Sequence, residues 1–261
     1  MKFSNLERLP HQGDESMKEK PGSDQGLSFR RLATMDGAKK KAPTEAVPKQ
    51  LQKSGSTDRQ SDEARRSLYR QATQYLSGVM SAVREDHSFP LEPGYAILER
   101  IVDIRSPMDA LFLKAIHSDD SYDFVVNHSV NVAIYAIKMA ETLGYARERL
   151  IEMGMVGLFH DIGMAKIPEE IIYKKEKLND REFHLIKERP KLGYEILRQF
   201  GESYAYLAEC TLQIYERVDG SGYPRGLKED EIHEYAQIIG LVDMYEALIH
   251  TRPQREKILH Y

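Results

Sequence analysis

Between Ser61 and His250 apolar residues recur at spacings of three and four, and strand-type alternation is scarce. This periodicity is the tightest constraint on the fold. Each stretch carries one apolar stripe, and a set of such stripes is buried most simply as an all-α bundle of seven or eight helices. Ala64, Leu68, Ala72, Tyr75, Leu76, Val79, Met80 and Val83 make up the first stripe, on a helix expected to dock on a core rather than pair with a partner helix. Pro90, Pro93 and Gly94 interrupt the chain before a second stretch, Tyr95–Ile104. Ser106–Pro107 reads as an N-cap followed by proline at the first helical position, opening Met108–Ile116. Further helices are expected over Ser121–Gly144, Arg147–His160, Asn179–Gly201 with a kink at Pro190, Ser203–Arg217, and Ile238–His250.

Residues 1–60 have a different character. They are rich in Lys, Gln, Ser, Gly and Pro, and cannot bury enough apolar surface to offset ordering entropy, so this tail is expected to be disordered. Residues 61–109 are then an accessory helical segment and 110–261 the main domain. The net charge of −4 divides unevenly, with +4 on residues 1–66 and −8 on the remainder. Such a balance argues against binding nucleic acid by bulk electrostatics, and Lys39–Lys40–Lys41 is too short a basic run to change that. The longest apolar run is about seven residues, Met153–Phe159, against the roughly 18 that a membrane span needs. The N-terminus lacks the apolar stretch of a secretory signal. Cys210 is the single cysteine, so no disulfide framework exists and a reducing cytoplasm is the expected compartment.

Four ionisable residues fall where the periodicity calls for burial: His128 in an apolar helix, His160–Asp161 at the end of another, and Asp243 within IIGLVDMYEAL. A buried carboxylate is costly unless paired or bound to metal, and imidazole with carboxylate suits a divalent ion such as iron, manganese or zinc. A lone histidine of this kind is more often a satisfied core residue; the adjacent pair with two further candidates is what points to metal. Two other features stand out. Asp219–Gly220–Ser221–Gly222–Tyr223–Pro224 dictates a tight loop whose backbone can approach a ligand, although an isolated segment of this kind is also an ordinary turn. Arg252 and Arg255 suit bidentate phosphate binding, or make a solvated basic turn.

Together, HS-x-NVA at His128, HDIG at His160, ERxDGSGYPxGL over Glu216–Leu227, VDxxxAL at Asp243 and RPxR at Arg252 resemble the HD-GYP domain, a subgroup of the HD metal-dependent phosphohydrolases. The resemblance covers roughly residues 110–261. It implies an all-α HD-type bundle and a bacterial cytoplasmic signalling protein that hydrolyses cyclic di-GMP to pGpG or GMP with two or three metals, often iron or manganese. It also implies metal ligation by His128, His160, Asp161 and Asp243, with His160 and Asp161 at the catalytic centre. Gly222, Tyr223, Glu246, Arg252 and Arg255 match positions on the ligand side. The loop further implies docking toward diguanylate-cyclase domains.

The sequence departs from the family at its second metal. Where the family has a His before a Pro, this chain has Arg189; where it has a His–His pair, this chain has Ile214–Tyr215. His184 stands five residues from Arg189, off the same helical face. Met164 replaces the lysine that usually follows HDIG, with Lys166 two residues on, and Glu246 replaces an Asp. One divalent ion is therefore expected, with the Arg189 guanidinium filling the space of the second and facing substrate phosphate. Two functions follow from this: an attenuated cyclic di-GMP phosphodiesterase, or an inactive nucleotide receptor or scaffold. A metal-free HDOD-like role fits less well, because four ligands remain. Family domains usually run on beyond RPxR, so either the sequence is a fragment or the core is expected to be closed by Ser61–Ile116 or by a second copy in a homodimer.

Overall fold

The computed structural model describes residues 56–104 and 123–250. Among these residues it is helical, and the sole β-type pairing is an isolated bridge between Asp219 and Lys228. Residues 1–55 of the expected disordered tail, the helix expected at Met108–Ile116, and Arg252 and Arg255 lie outside the described residues, whereas residues 56–60, also expected to be disordered, form the first turn of a helix.

Helix α1 (Ser56–Arg84) is followed by α2 (Glu92–Val102), α3 (Phe124–Thr142) and α4 (Arg147–Phe159). A 3-10 turn, Ile162–Lys166, leads through the short α5 (Glu169–Ile172) to α6 (Asp180–Lys187), α7 (Arg189–Leu197), α8 (Ala205–Gln213) and α9 (Glu234–Ile249). α4 is the hub. It carries buried side chains all around its circumference, among them Met153, Met155, Val156, Leu158 and Phe159, and packs against α2, α3, α8 and α9. α1 lies across α2, α3 and the 3-10 turn with Leu68, Ala72, Leu76, Val79, Met80 and Val83 buried, so its apolar stripe docks on the core as expected. Ala64 is exposed, and the buried stripe starts at Leu68.

Local chemistry sets the helix ends. Asp123 caps α3 by accepting the Val125 N–H at 2.8 Å, so the helix begins three residues later than the sequence suggests. Asn179 and Glu182 form a reciprocal capping box at the start of α6, each bond 2.9 Å long. No single kinked helix passes through Pro190. α6 ends at Lys187 and α7 begins at Arg189, with the proline in the first turn of α7, where its missing N–H costs nothing. The helix expected to run to Arg217 stops at Gln213, which frees Glu216 for the loop beyond it. α9 starts at Glu234, earlier than Ile238, because the His233 side chain accepts the Tyr235 N–H at 3.1 Å. α1 begins at Ser56 rather than Ser61, in a Ser–Thr–Asp run suited to a helix start. No helix among the described residues is long and apolar enough to cross a membrane.

Candidate metal centre

α3, the end of α4 and α9 converge on one point. His128 comes from α3, His160 closes α4, Asp161 opens the 3-10 turn and Asp243 comes from α9. One ligand atom each from His128, His160 and Asp243 lies within 4.8 Å of the others. That spread is close to the roughly 4 Å spanned by two opposed metal bonds of about 2.1 Å. His128 Nε2 is 3.0 Å from Asp243 Oδ1. Asp161 Oδ2 stands 3.7 Å from His160 Nε2 and 4.0 Å from His128 Nε2, slightly outside the tightest group.

Both imidazoles are held from behind. His160 donates its Nδ1–H to the Gly157 carbonyl at 2.8 Å. Its buried Nε2 makes no hydrogen bond among the described residues, so a lone pair points into the site. Burial pushes the His160 pKa below the ordinary histidine value despite Asp161 beside it, which favours the neutral, ligating form. His128 Nδ1 lies 2.5 Å from Glu246 Oε2, so a neutral ring donating there presents Nε2 to the centre. Burial pushes the Glu246 carboxyl up, but His128 and His250 outweigh it and hold Glu246 well below the usual carboxylate range. Glu246, grouped by sequence with ligand-contacting residues, is 2% exposed and sits behind His128, turned to the ring rather than to a ligand. The donors present fit a divalent ion: two oriented imidazoles and two carboxylates, one imidazole nitrogen being buried without a hydrogen bond.

On the far side of Asp161 the groups are organic. Tyr215 donates its hydroxyl to Asp161 Oδ1 at 2.7 Å, and Arg189 Nε lies 3.5 Å from the same oxygen. The Arg189 guanidinium covers the Tyr215 ring at 3.9 Å and is 15% exposed. Burial raises the Asp161 pKa, but Arg189 and then His160 outweigh it, and the net shift is downward. Burial holds the Tyr215 phenol well above its ordinary value, keeping it protonated as a donor. Ile214 points into the core at 4% exposure, and Met164 is buried as well. Lys166 pairs with Asp86 at the end of α1, 2.8 Å away, which turns it from the site, and His184 is exposed on α6.

The loop after α8 is built around Glu216, whose carboxylate accepts the N–H of Arg225 at 2.6 Å and of Leu227 at 2.9 Å. Gly222 passes so close to this strand of chain that a Cβ there would meet the Arg217 nitrogen at 2.3 Å. Tyr223 stacks on Tyr215 with ring centroids 5.4 Å apart, and the Lys187 ammonium lies 4.6 Å from its centroid. Sequence reasoning missed Lys187 and the phenol of Tyr215, and gave no role to Asn131 and Glu216, although both stand in the quoted motifs and Asn131, three residues from His128, lies on the same helical face.

Residues 116–260 match the HD domain family. Over 153 residues the chain is 33% identical to a cyclic di-GMP phosphodiesterase of Pseudomonas aeruginosa, covering 59% of this chain and 36% of that protein. It is 34% identical over 170 residues to 3'3'-cGAMP-specific phosphodiesterase 1 of Vibrio cholerae, covering 65% and 38%. The chain thus spans little more than a third of the length of these curated relatives. Bd1817, a HDG"Y"P protein from Bdellovibrio bacteriovorus, shares the fold with a TM-score of 0.58 at 16% identity, over 72% of this chain and 61% of that one. With the HD pair, its partner ligands and the GYP loop assembled around one centre, this chain belongs to the HD domain family, in its HD-GYP subgroup.

Proposed function

We propose that the chain is a phosphodiesterase of cyclic dinucleotides, cyclic di-GMP first among them, working with one divalent ion, iron or manganese, held by His128, His160, Asp161 and Asp243. The observation that carries this reading is the buried, lone-pair-presenting Nε2 of His160 facing His128 and Asp243. When bound, such an ion supplies Lewis acidity toward phosphoryl oxygen and makes water a stronger nucleophile at neutral pH. Gly157 and Glu246 keep the two imidazoles in the ligating tautomer. Arg189 places a fixed positive charge beside Asp161, where it serves a substrate phosphate as well as the carboxylate. Tyr223, steadied by Tyr215, offers its hydroxyl at the mouth of the site, and Glu216 holds the loop that carries it. Arg252 and Arg255 belong to the same reading as phosphate contacts. Replacing a second ion by an arginine and a phenol costs several kcal/mol of transition-state stabilisation, a rate roughly a thousandfold below a two-metal relative.

The test is turnover of cyclic di-GMP and 3'3'-cGAMP with added manganese or ferrous iron, beside a His160→Ala/Asp161→Ala control. Metal-dependent hydrolysis absent from the control supports the proposal, and rates equal to the control overturn it. A second reading, a nucleotide receptor or scaffold acting through the GYP loop toward a cyclase domain or a second copy, is favoured by Asp161 Oδ1 being taken up by Tyr215 and Arg189. Nucleotide binding by titration calorimetry without turnover would select it.

A further inference from the structure

A hydrogen-bonded chain runs from the N-terminal helix to the candidate centre. Tyr69, on α1, donates its hydroxyl to Asn131 Oδ1 at 2.9 Å. Asn131, on α3, donates its Nδ2 to Glu246 Oε1 at 3.1 Å, and the other carboxylate oxygen of Glu246 meets His128 Nδ1 at 2.5 Å. All four residues are buried, none more than 4% exposed. Glu246 is 115 residues from Asn131 in sequence, and Tyr69 a further 62 away, so only the folded state assembles the chain.

The polarity of these bonds is dictated by chemistry. An ionised carboxylate only accepts, so Asn131 must turn its amide nitrogen toward Glu246. Its carbonyl then faces α1 and requires a donor there, which the Tyr69 hydroxyl supplies. Oε1 accepts from Asn131 and also lies 3.1 Å from His250 Nδ1, while Oε2 meets His128, which donates from Nδ1 and presents Nε2 to the centre. Removing the Tyr69 hydroxyl takes this donor from a buried amide carbonyl and loosens the orientation of the Asn131 amide. That loosening reaches the His128 ring through the Glu246 carboxylate that Asn131 and His128 share.

We infer that Tyr69 is a positioning residue for the metal centre, and that α1 is thereby coupled to metal occupancy through Asn131 and Glu246. The inference rests on the reading of His128 as a metal ligand. α1 packs on α2, α3 and the 3-10 turn that follows His160–Asp161, and Tyr69 lies near its middle, so a shift of α1 breaks this bond directly. The coupling is reciprocal: metal that favours the aligned imidazole also favours the docked position of α1.

The experiment compares wild type with Tyr69→Phe, which keeps the ring and removes the hydroxyl. Val79→Ala serves as a packing control on the same helix and Asp243→Ala as a ligand control. Manganese affinity is read by titration calorimetry, stability by Tm, and protection of Ser56–Arg84 by amide hydrogen exchange with and without manganese. Tyr69→Phe is expected to weaken manganese binding about threefold to tenfold, the worth of one net hydrogen bond, and to abolish manganese-dependent protection of α1. Val79→Ala is expected to lower Tm while leaving manganese affinity unchanged. Wild-type manganese affinity and protection in Tyr69→Phe, with binding lost in Asp243→Ala, overturn the inference while sparing the metal site. Full manganese affinity in Asp243→Ala removes the metal-site reading itself, and this inference with it.

Discussion

The Tyr215 hydroxyl and the Arg189 guanidinium converge on a single atom, Oδ1 of Asp161, at 2.7 Å and 3.5 Å, with the guanidinium stacked on the phenol that shares its target. The two carboxylate oxygens are thereby given different tasks. Oδ2 faces His128 and His160, and Oδ1 faces a cation–phenol pair that neutralises it without metal.

If that pair stands in for a second ion, histidines at those positions should bring an ion back. The triple variant Arg189→His, Ile214→His, Tyr215→His is expected to raise manganese content from about one ion per chain to about two, with ligands of the type such sites use. Mass-spectrometric metal analysis after loading and desalting checks this. A stoichiometry unchanged from wild type would count against the substitution of ion by guanidinium.

Arg189 should also be felt in metal-free stability, with a defined pH dependence. The folded Asp161 pKa lies below its unfolded value, chiefly because Arg189 outweighs burial, so its contribution to stability is present above the unfolded pKa of about 3.9 and is lost as pH falls below it. Arg189→Met is therefore expected to cost about 3 kcal/mol at pH 7. The deficit should shrink toward pH 3 as Asp161 protonates. Urea unfolding in the presence of a chelator at the two pH values measures both, and equal deficits would contradict the assignment.

The parts of this fold that depend on neighbours in sequence were legible beforehand, and those that depend on distant partners were not. The apolar stripes of α1 and α3 read directly, because helical periodicity is a local property. Pro190 was misread as a kink, since proline inside a helix and proline in the first turn of a new one differ only in where the preceding helix stops. Tyr215 could be read only as a missing histidine. That its phenol would reach Asp161 depends on α8 packing against α4. Lys166 looked like a displaced site lysine, but the 3-10 turn points it toward Asp86 instead. Glu216 stands in the quoted loop motif, but its role could not be read there, because the N–H donors it accepts from lie nine and eleven residues ahead in a loop with no periodicity.

Glu216→Gln tests whether that carboxylate shapes the loop. Glutamine keeps one acceptor oxygen but turns an NH2 group toward the second N–H, so one of the two loop bonds is lost and a donor is left facing a donor. A cost of about 1–3 kcal/mol is expected, concentrated in Arg217–Leu227. The loop should become cleavable by trypsin at Arg217 and Arg225 while manganese binding is retained. Resistance to trypsin equal to wild type would place the origin of the loop conformation elsewhere.

Gly163, the last residue of HDIG, makes the final prediction. A Cβ there would stand 2.0 Å from the Arg189 carbonyl oxygen and 2.8 Å from the Gly193 nitrogen, so the bare Cα lets the 3-10 turn rest directly on the backbone of α7. This contact sets how far Arg189 stands from Asp161. Gly163→Ala must push α7 outward, because both obstructing atoms are backbone. The expected cost is at least about 1–3 kcal/mol, the usual range for overpacking a well-packed core. Displacement of Arg189 should also remove the dependence of stability on pH near 3–4 that Asp161 contributes. Arg189→Met and Gly163→Ala act on the same ion pair, so their costs should combine to less than their sum. Full additivity of the two in chelator-treated protein would show that Gly163 does not act by seating Arg189.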